Sequence, residues 1–205
     1  MTQIEIDNQR KSGILGLLST SLFITSLAFF GRLHPEFSFV EDFVSKLGAK
    51  GEPNAIWWNL IGFGLVGLIL FVFGIFYGKV IKDKLAGLLL AFFGIGFSFT
   101  AFPIDMEESN TPISKTHIVA ICLALAFWLF GLARISYNTL IKKSIRNRAN
   151  VTAILIVIAM IGYTFGWWSM PITHRLVFIV VFGWTAMTSI ELLIMNNEES
   201  KSILK

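Results

Sequence analysis

Three histidines, His34, His117 and His174, each stand at the edge of a long apolar run. Asp105 stands at another such edge, with Glu107 and Glu108 just beyond it. If the runs cross a membrane, these imidazoles and carboxylates share one depth. Neutral imidazole and carboxylate are ordinary ligands for zinc, and a site with an open coordination position activates water. The expected set is Asp105, His117 and His174 around Zn2+ or another divalent metal. A bound water would be the nucleophile, and Asp42 or Ser45 would position the substrate or relay a proton. His34, Asn54 and Asn59 complete the polar candidates. The histidines form no local motif such as H-E-x-x-H, and each taken singly reads equally well as an interfacial side chain bonded to water or lipid.

Other chemistries find less footing. The single cysteine, Cys122, lies inside an apolar run, which argues against a disulfide framework, a cysteine zinc knuckle or an iron–sulfur cluster. No lysine lies inside any apolar run, so a retinal Schiff base has no anchor. A bis-histidine haem would need imidazoles at suitable depth on facing helices. Glu191 is the one carboxylate well inside a run, and the expectation is that it snorkels or pairs with Arg10, Lys11 or Arg134. Without a chain of charges through the middle, ion pumping and proton-coupled transport lose support, and no inverted repeat is visible.

The elements that must hold these residues follow from composition. Of 205 residues, 55% are hydrophobic and only 15% are charged, against about 25% in a soluble domain. Six apolar runs cover residues 13 to 33, 57 to 77, 85 to 103, 117 to 136, 151 to 169 and 174 to 195. Each is long enough to cross a hydrocarbon core of roughly 30 Å as a helix. The expected fold is an all-α membrane protein, a six-transmembrane-helix bundle forming a single domain over 1 to 205. Trp57, Trp58, Tyr77, Tyr137, Trp167 and Trp168 mark span boundaries of the kind found at headgroup level.

Charge sets the orientation. Arg10, Lys11, Lys79, Lys82, Lys84, Arg134, Lys142, Lys143, Arg146, Arg148, Lys201 and Lys205, 12 of the 17 basic residues, fall on one side. By the positive-inside rule both termini are cytoplasmic, in a prokaryotic cytoplasmic (inner) membrane, and the loops at 34 to 56, 104 to 116 and 170 to 173 face outward. The basic stretch from Lys142 to Arg148 reads as a topology determinant in preference to a lipid-binding patch. The net charge of +4 has the same origin, and no nucleic-acid partner is expected.

The first outer loop carries a helical pattern. Phe39, Val40, Phe43, Val44 and Leu47 share one face, Glu41, Asp42, Ser45 and Lys46 the other, with Ser38 and Glu41 spaced as a capping box and Gly48 as a stop. This predicts a short amphipathic interfacial helix on which Asp42 and Ser45 stand about 60° apart. A polar face is equally what any interfacial helix requires.

At this loop the sequence resembles a known family. The run His34-Pro35-Glu36-Phe37-Ser38, then Ser45 through Ala55 with Asn59 and Gly62, and a second block of Phe102-Pro103-Ile104-Asp105 with Ser114 and His117, are similar to the bacterial and archaeal integral membrane proteins called domain of unknown function 998. The resemblance implies a six-helix membrane protein with no established reaction, and polar positions at Ser45, Asn54, Asn59, Asp105 and His117. Lys46 departs from a family pattern that often has an acidic residue there, although Asp42 lies one turn earlier.

Three functions compete. The first is a metal-assisted hydrolase or lipid-modifying enzyme with its site at the outer face. The second is a non-enzymatic protein that binds membrane lipids or a protein partner beneath the outer loop, through Phe39, Phe43 and Leu47. The third is transport of a small hydrophobic solute, which the apolar bundle centre disfavours.

Overall fold

The computed structural model describes residues 2–108 and 110–203, with side chains as far as 194. Every regular element among them is helical. The long helices are α1 (Gln3–Leu33), α2 (Ala55–Val80), α3 (Lys84–Phe99), α4 (Pro112–Tyr137), α5 (Lys143–Thr164) and α6 (Met170–Ile203). All but α3 are long and apolar enough to cross a membrane; α3 is apolar but has 16 residues.

Local chemistry explains the ends. Thr2 and Glu5 close a capping box that starts α1 in its polar head, well before the apolar run. Asp83 caps α3 by accepting the Ala86 N–H, and Thr111 caps α4 just before Pro112. The fifth span stops at Thr164, short of the expected 169. Gly166 takes a left-handed φ of +72° there, and the Trp167 N–H returns to the Gly162 carbonyl at 2.8 Å.

Each long helix packs on its neighbours in the chain, and α6 returns to α1, so the six close into a ring. Burying apolar area gives little drive inside lipid, so close packing and hydrogen bonds must hold such a ring. The α2–α3 seam shows this most clearly. A Cβ at Gly78 would lie 2.6 Å from the Gly87 Cα, and one at Gly74 or Gly94 would strike opposing backbone. Gly13 and Gly16 similarly admit Ser189 and Leu193 at the α1–α6 seam. Aromatic side chains fill the interior, with Phe23 stacked on Phe182 at 4.2 Å and Trp128 edge-on to Trp184 at 5.9 Å.

Three expectations change. The interfacial helix is not formed: residues 39 to 42 are turns, followed by a short 3-10 helix, Val44–Gly48. The Ser38 and Asp42 side chains make the bonds of a helix start, but the chain turns extended at Phe43 (φ −68°, ψ 145°), which carries Val44 and Leu47 into the interior. Val44 and Leu47 are buried, while Phe39 and Val40 stay exposed. Trp58 and Tyr77 are interior side chains, 0% and 1% exposed, whereas Trp57, Tyr137 and Trp167 lie at the surface. Glu191 pairs with Arg148 of α5. Lys11 is held by Asp7 on its own helix, and Arg134 by Asp83.

Candidate site at the loop end

One end of the ring carries the connections at 34 to 54, 100 to 111 and 165 to 169, and all the expected site residues collect there. His34 follows α1 directly and is buried. Its Nδ1 accepts the Glu36 N–H at 3.3 Å, which places the ring proton on Nε2, 2.7 Å from the Glu52 carboxylate. Asp42 receives the Ser38 N–H and the Lys46 ammonium, the latter at 2.9 Å. Partial burial opposes ionisation of Asp42, but the Ser38 N–H and Lys46 outweigh it and hold the carboxyl below the ordinary range. Ser45, half-buried in the 3-10 helix, makes no hydrogen bond to another described residue. Arg175 of α6 fastens this loop, donating to the Ser38 carbonyl at 3.3 Å and to the Pro171 carbonyl at 3.0 Å.

Asn54 and Asn59 shape the entry into α2. Asn54 is exposed, adopts a left-handed φ of 59° and makes no side-chain cap. Asn59 is buried and donates its amide to the Gly48 carbonyl at 2.8 Å, latching the 3-10 helix to α2. At Asn59 the helix widens into a π turn over Asn59–Leu65, a feature common where backbone is shaped around a site.

The second connection is tied to the first. Asp105 Oδ1 accepts the N–H groups of Glu107 and Glu108, both at 3.1 Å, and Oδ2 meets the Lys50 ammonium at 3.1 Å. The Glu108 N–H and the Lys50 ammonium hold the Asp105 carboxyl below its usual range. The Lys50 N–H also bonds the Ile104 carbonyl at 2.9 Å, and buried Ser114 receives the Asp105 N–H at 2.9 Å.

His117, on the first turns of α4, places Nδ1 2.9 Å from the Phe102 carbonyl. Nδ1 is therefore the donor, and in the neutral ring Nε2 carries the lone pair. His174 has Phe43 edge-on to its ring at 5.0 Å. It also lines a cavity of about 160 Å3 between α3, α4, α5 and α6, whose other walls include Phe97, Cys122, Leu125, Met160 and Val181.

The fold thus pairs Asp42 with Lys46 and His34 with Glu52, and packs Phe63 on His117 and Phe43 on His174. Asp105 is held separately, both its oxygens bonded within the loops. Among the described residues, no three His, Cys, Asp or Glu side chains are grouped so as to hold a metal ion. Sequence reasoning missed Glu52, Lys50 and Arg175. Nothing local marks Glu52 or Lys50 as partners of His34 and Asp105, since those contacts are made by folding the loops back. Arg175 was readable only as a charge on the side that basic residues avoid.

Comparison with known proteins gives a family and no chemistry. No curated protein and no solved structure matches the chain. A family model described as a protein of unknown function, DUF998, matches residues 17–191, which takes in α2 to α5 whole, most of α1 and both connected loops. The chain belongs to the DUF998 family.

Proposed function

We propose that this is a six-span protein of the prokaryotic cytoplasmic membrane that holds the apolar part of a membrane lipid in the cavity beside His174. Charge supports the orientation: the end bearing both termini collects most of the basic residues, the pattern that the positive-inside rule associates with a cytoplasmic side. The 16 residues of α3 rise about 24 Å, and the turn through Thr100, Ala101 and Phe102 lengthens it toward a full crossing. The observation that carries the ligand reading is the cavity itself. Apolar cavities of about this size stay dry and accept apolar ligands. Here the single imidazole of His174 is set where a lipid's polar portion would enter from the loop end.

The test is native mass spectrometry of the protein purified in mild detergent. Retained lipid is expected in the wild type and lost in Leu125→Trp, which fills the cavity. Equal lipid retention in both would remove this reading.

A metal-assisted lipid hydrolase drawing on Asp105, His117 and His174 is the second reading. What favours it is His117, whose Nδ1–H is oriented by a backbone carbonyl, the arrangement that commonly presents Nε2 to a metal. Asp105 would first have to release its loop N–H groups. Elemental analysis separates the two readings: about one zinc per chain, lost in His117→Ala and His174→Ala, supports the hydrolase.

A further inference from the structure

A second opening lies at the opposite end of the ring, where both termini emerge. A cavity of about 380 Å3 is bounded there by α1, α2, α5, α6 and the connection between α4 and α5. Val80, Ile81, Ile145 and Leu192 give it apolar walls. Several of the buried donors in its lining lack acceptors.

Tyr77 and Thr188 are each 1% exposed; the Arg148 guanidinium, which can only donate, lies beside the Tyr77 hydroxyl, and neither hydroxyl has an acceptor for its own proton. The Nε of Arg148 is also unpartnered, although another nitrogen of the same guanidinium holds Glu191. Lys82 is drawn to Glu5, and the Gln9 amide to the Leu192 carbonyl, so these two are satisfied. Lys142 is exposed at the rim and forms no ion pair among the described residues. It also stands at the start of α5, a 22-residue helix with no side-chain cap, whose first N–H groups therefore lack a side-chain acceptor.

Buried donors are almost always bonded in native proteins, so two interior hydroxyls aimed into one cavity without acceptors call for a ligand that brings them. We propose that this opening binds a phosphate group, carried either on a lipid headgroup or on a small soluble molecule. Glu191, the one carboxylate lining the cavity among the described residues, is neutralised by Arg148, which leaves Lys142 in excess among them. An anion bonded to a guanidinium N–H, an ammonium and an uncapped helix start gains charge-assisted hydrogen bonds from all three. Phosphate brings three or four acceptor oxygens to these donors and the two hydroxyls, whereas a carboxylate brings two. The apolar walls suit the glycerol and first methylenes of a lipid whose phosphate sits below.

The experiment uses the full chain in phosphatidylcholine nanodiscs, titrated with inorganic phosphate and with glycerol 3-phosphate, and separately doped with phosphatidylglycerol and read by native mass spectrometry. At least one probe binds, and the Tyr77→Phe/Thr188→Val double variant binds it more weakly, by on the order of tenfold. Binding of a soluble probe assigns a small phosphate compound; retention of phosphatidylglycerol alone assigns a headgroup. The double variant's thermal midpoint without probe stays equal or rises, because it loses only hydroxyls that lack acceptors. Lys142→Gln binds more weakly and shows a shallower salt dependence. Three results overturn the proposal: no probe bound by the wild type, equal binding by the double variant, or a lower ligand-free midpoint in that variant, which would give the hydroxyls internal acceptors.

Discussion

At the loop end, charged side chains are tied mainly to the backbone and side chains of the loops, whereas at the terminal end most of the ion pairs join one element to another. Asp42, Asp105 and Arg175 all bond main-chain groups of the connections. Asp83 meets Arg134, Glu191 meets Arg148, and Glu5 meets Lys82, each pair joining different elements. The difference follows from the backbone. Connections of irregular chain leave N–H and C=O groups that something must satisfy, and side chains at the loop end do that work. At the terminal end the connections are tight turns, so side chains are free to bridge helices, and a few donors are left over in the cavity between them.

The largest effect should come from the terminal end. Asp83 is buried, caps α3 through the Ala86 N–H and accepts from Arg134 at 2.8 Å and Asn138 at 2.6 Å. Asp83→Ala removes the cap and the only anion in that group. Arg134 is half-exposed and stays hydrated, so the cost falls at the lower end for a broken buried pair, about 3 kcal/mol in an unfolding titration. Burial opposes ionisation of Asp83, but the Ala86 N–H, Asn138 and Arg134 outweigh it and hold the carboxyl below its ordinary range. A depressed folded value means that its contribution is complete above the unfolded value and is lost as pH falls through the folded one. The gap between wild type and Asp83→Asn should therefore be constant near neutrality and close below about pH 4. A gap that widened on acidification would contradict this assignment.

His34 is the loop-end counterpart, a buried ring bonded to the Glu52 carboxylate. His34→Ala loses that bond and leaves space beneath the loop, a cost of about 2 kcal/mol. Glu52→Gln keeps an acceptor for Nε2–H and should cost less than half as much. Thermal unfolding followed by tryptophan fluorescence orders the three variants. If His34→Ala exceeded Asp83→Ala, the loop end would be the stronger clamp.

How much of this was readable in advance depended on the range of the interaction. The apolar runs fixed the helices because one residue type repeated over about twenty positions leaves little else to form. Their polar extensions were not visible, since a helix entering water looks like any charged segment until Thr2 and Glu5 are seen to cap it. The 38 to 48 segment had helical periodicity, but the chain turns extended at Phe43 and buries Val44 and Leu47, a tertiary outcome that periodicity does not carry. Trp58 and Tyr77 were placed at headgroup level by residue type alone, and only ring closure shows that their positions point inward. The polar residues of the site were found at the correct end because helix ends share a depth. Their partners were not, because Glu52, Lys50 and Arg175 meet them only through the folding of two loops.

Asn59 sharpens the view that loop-end polar groups serve the backbone. Its amide is the direct side-chain tie between α2 and the 3-10 helix, through the Gly48 carbonyl. Asn59→Ala should cost about 1 kcal/mol and raise hydrogen exchange in residues 44 to 49, leaving the helices protected. Asn59→Asp, which sets a buried carboxylate against the Gly48 carbonyl, should cost more than Asn59→Ala. A global loss of protection would mean that the π turn itself depends on the amide.

The smallest effect is expected at Lys50, and it decides between the charge and the backbone as the link between the two loops. The Lys50 ammonium touches Asp105 at 3.1 Å but is 76% exposed, so water and salt screen the pair. Its N–H bonds the Ile104 carbonyl whatever side chain is present, and the Asp105 carboxylate keeps the Glu107 and Glu108 N–H groups without it. Lys50→Ala should therefore leave the thermal midpoint unchanged at both low and high salt. Asp105→Ala should lower it, because the turn leading to Ser114 and His117 loses its acceptor. Equal losses in the two variants would show that the loops are joined by the ion pair, and the contrast between the ends of the bundle would then be one of geometry alone.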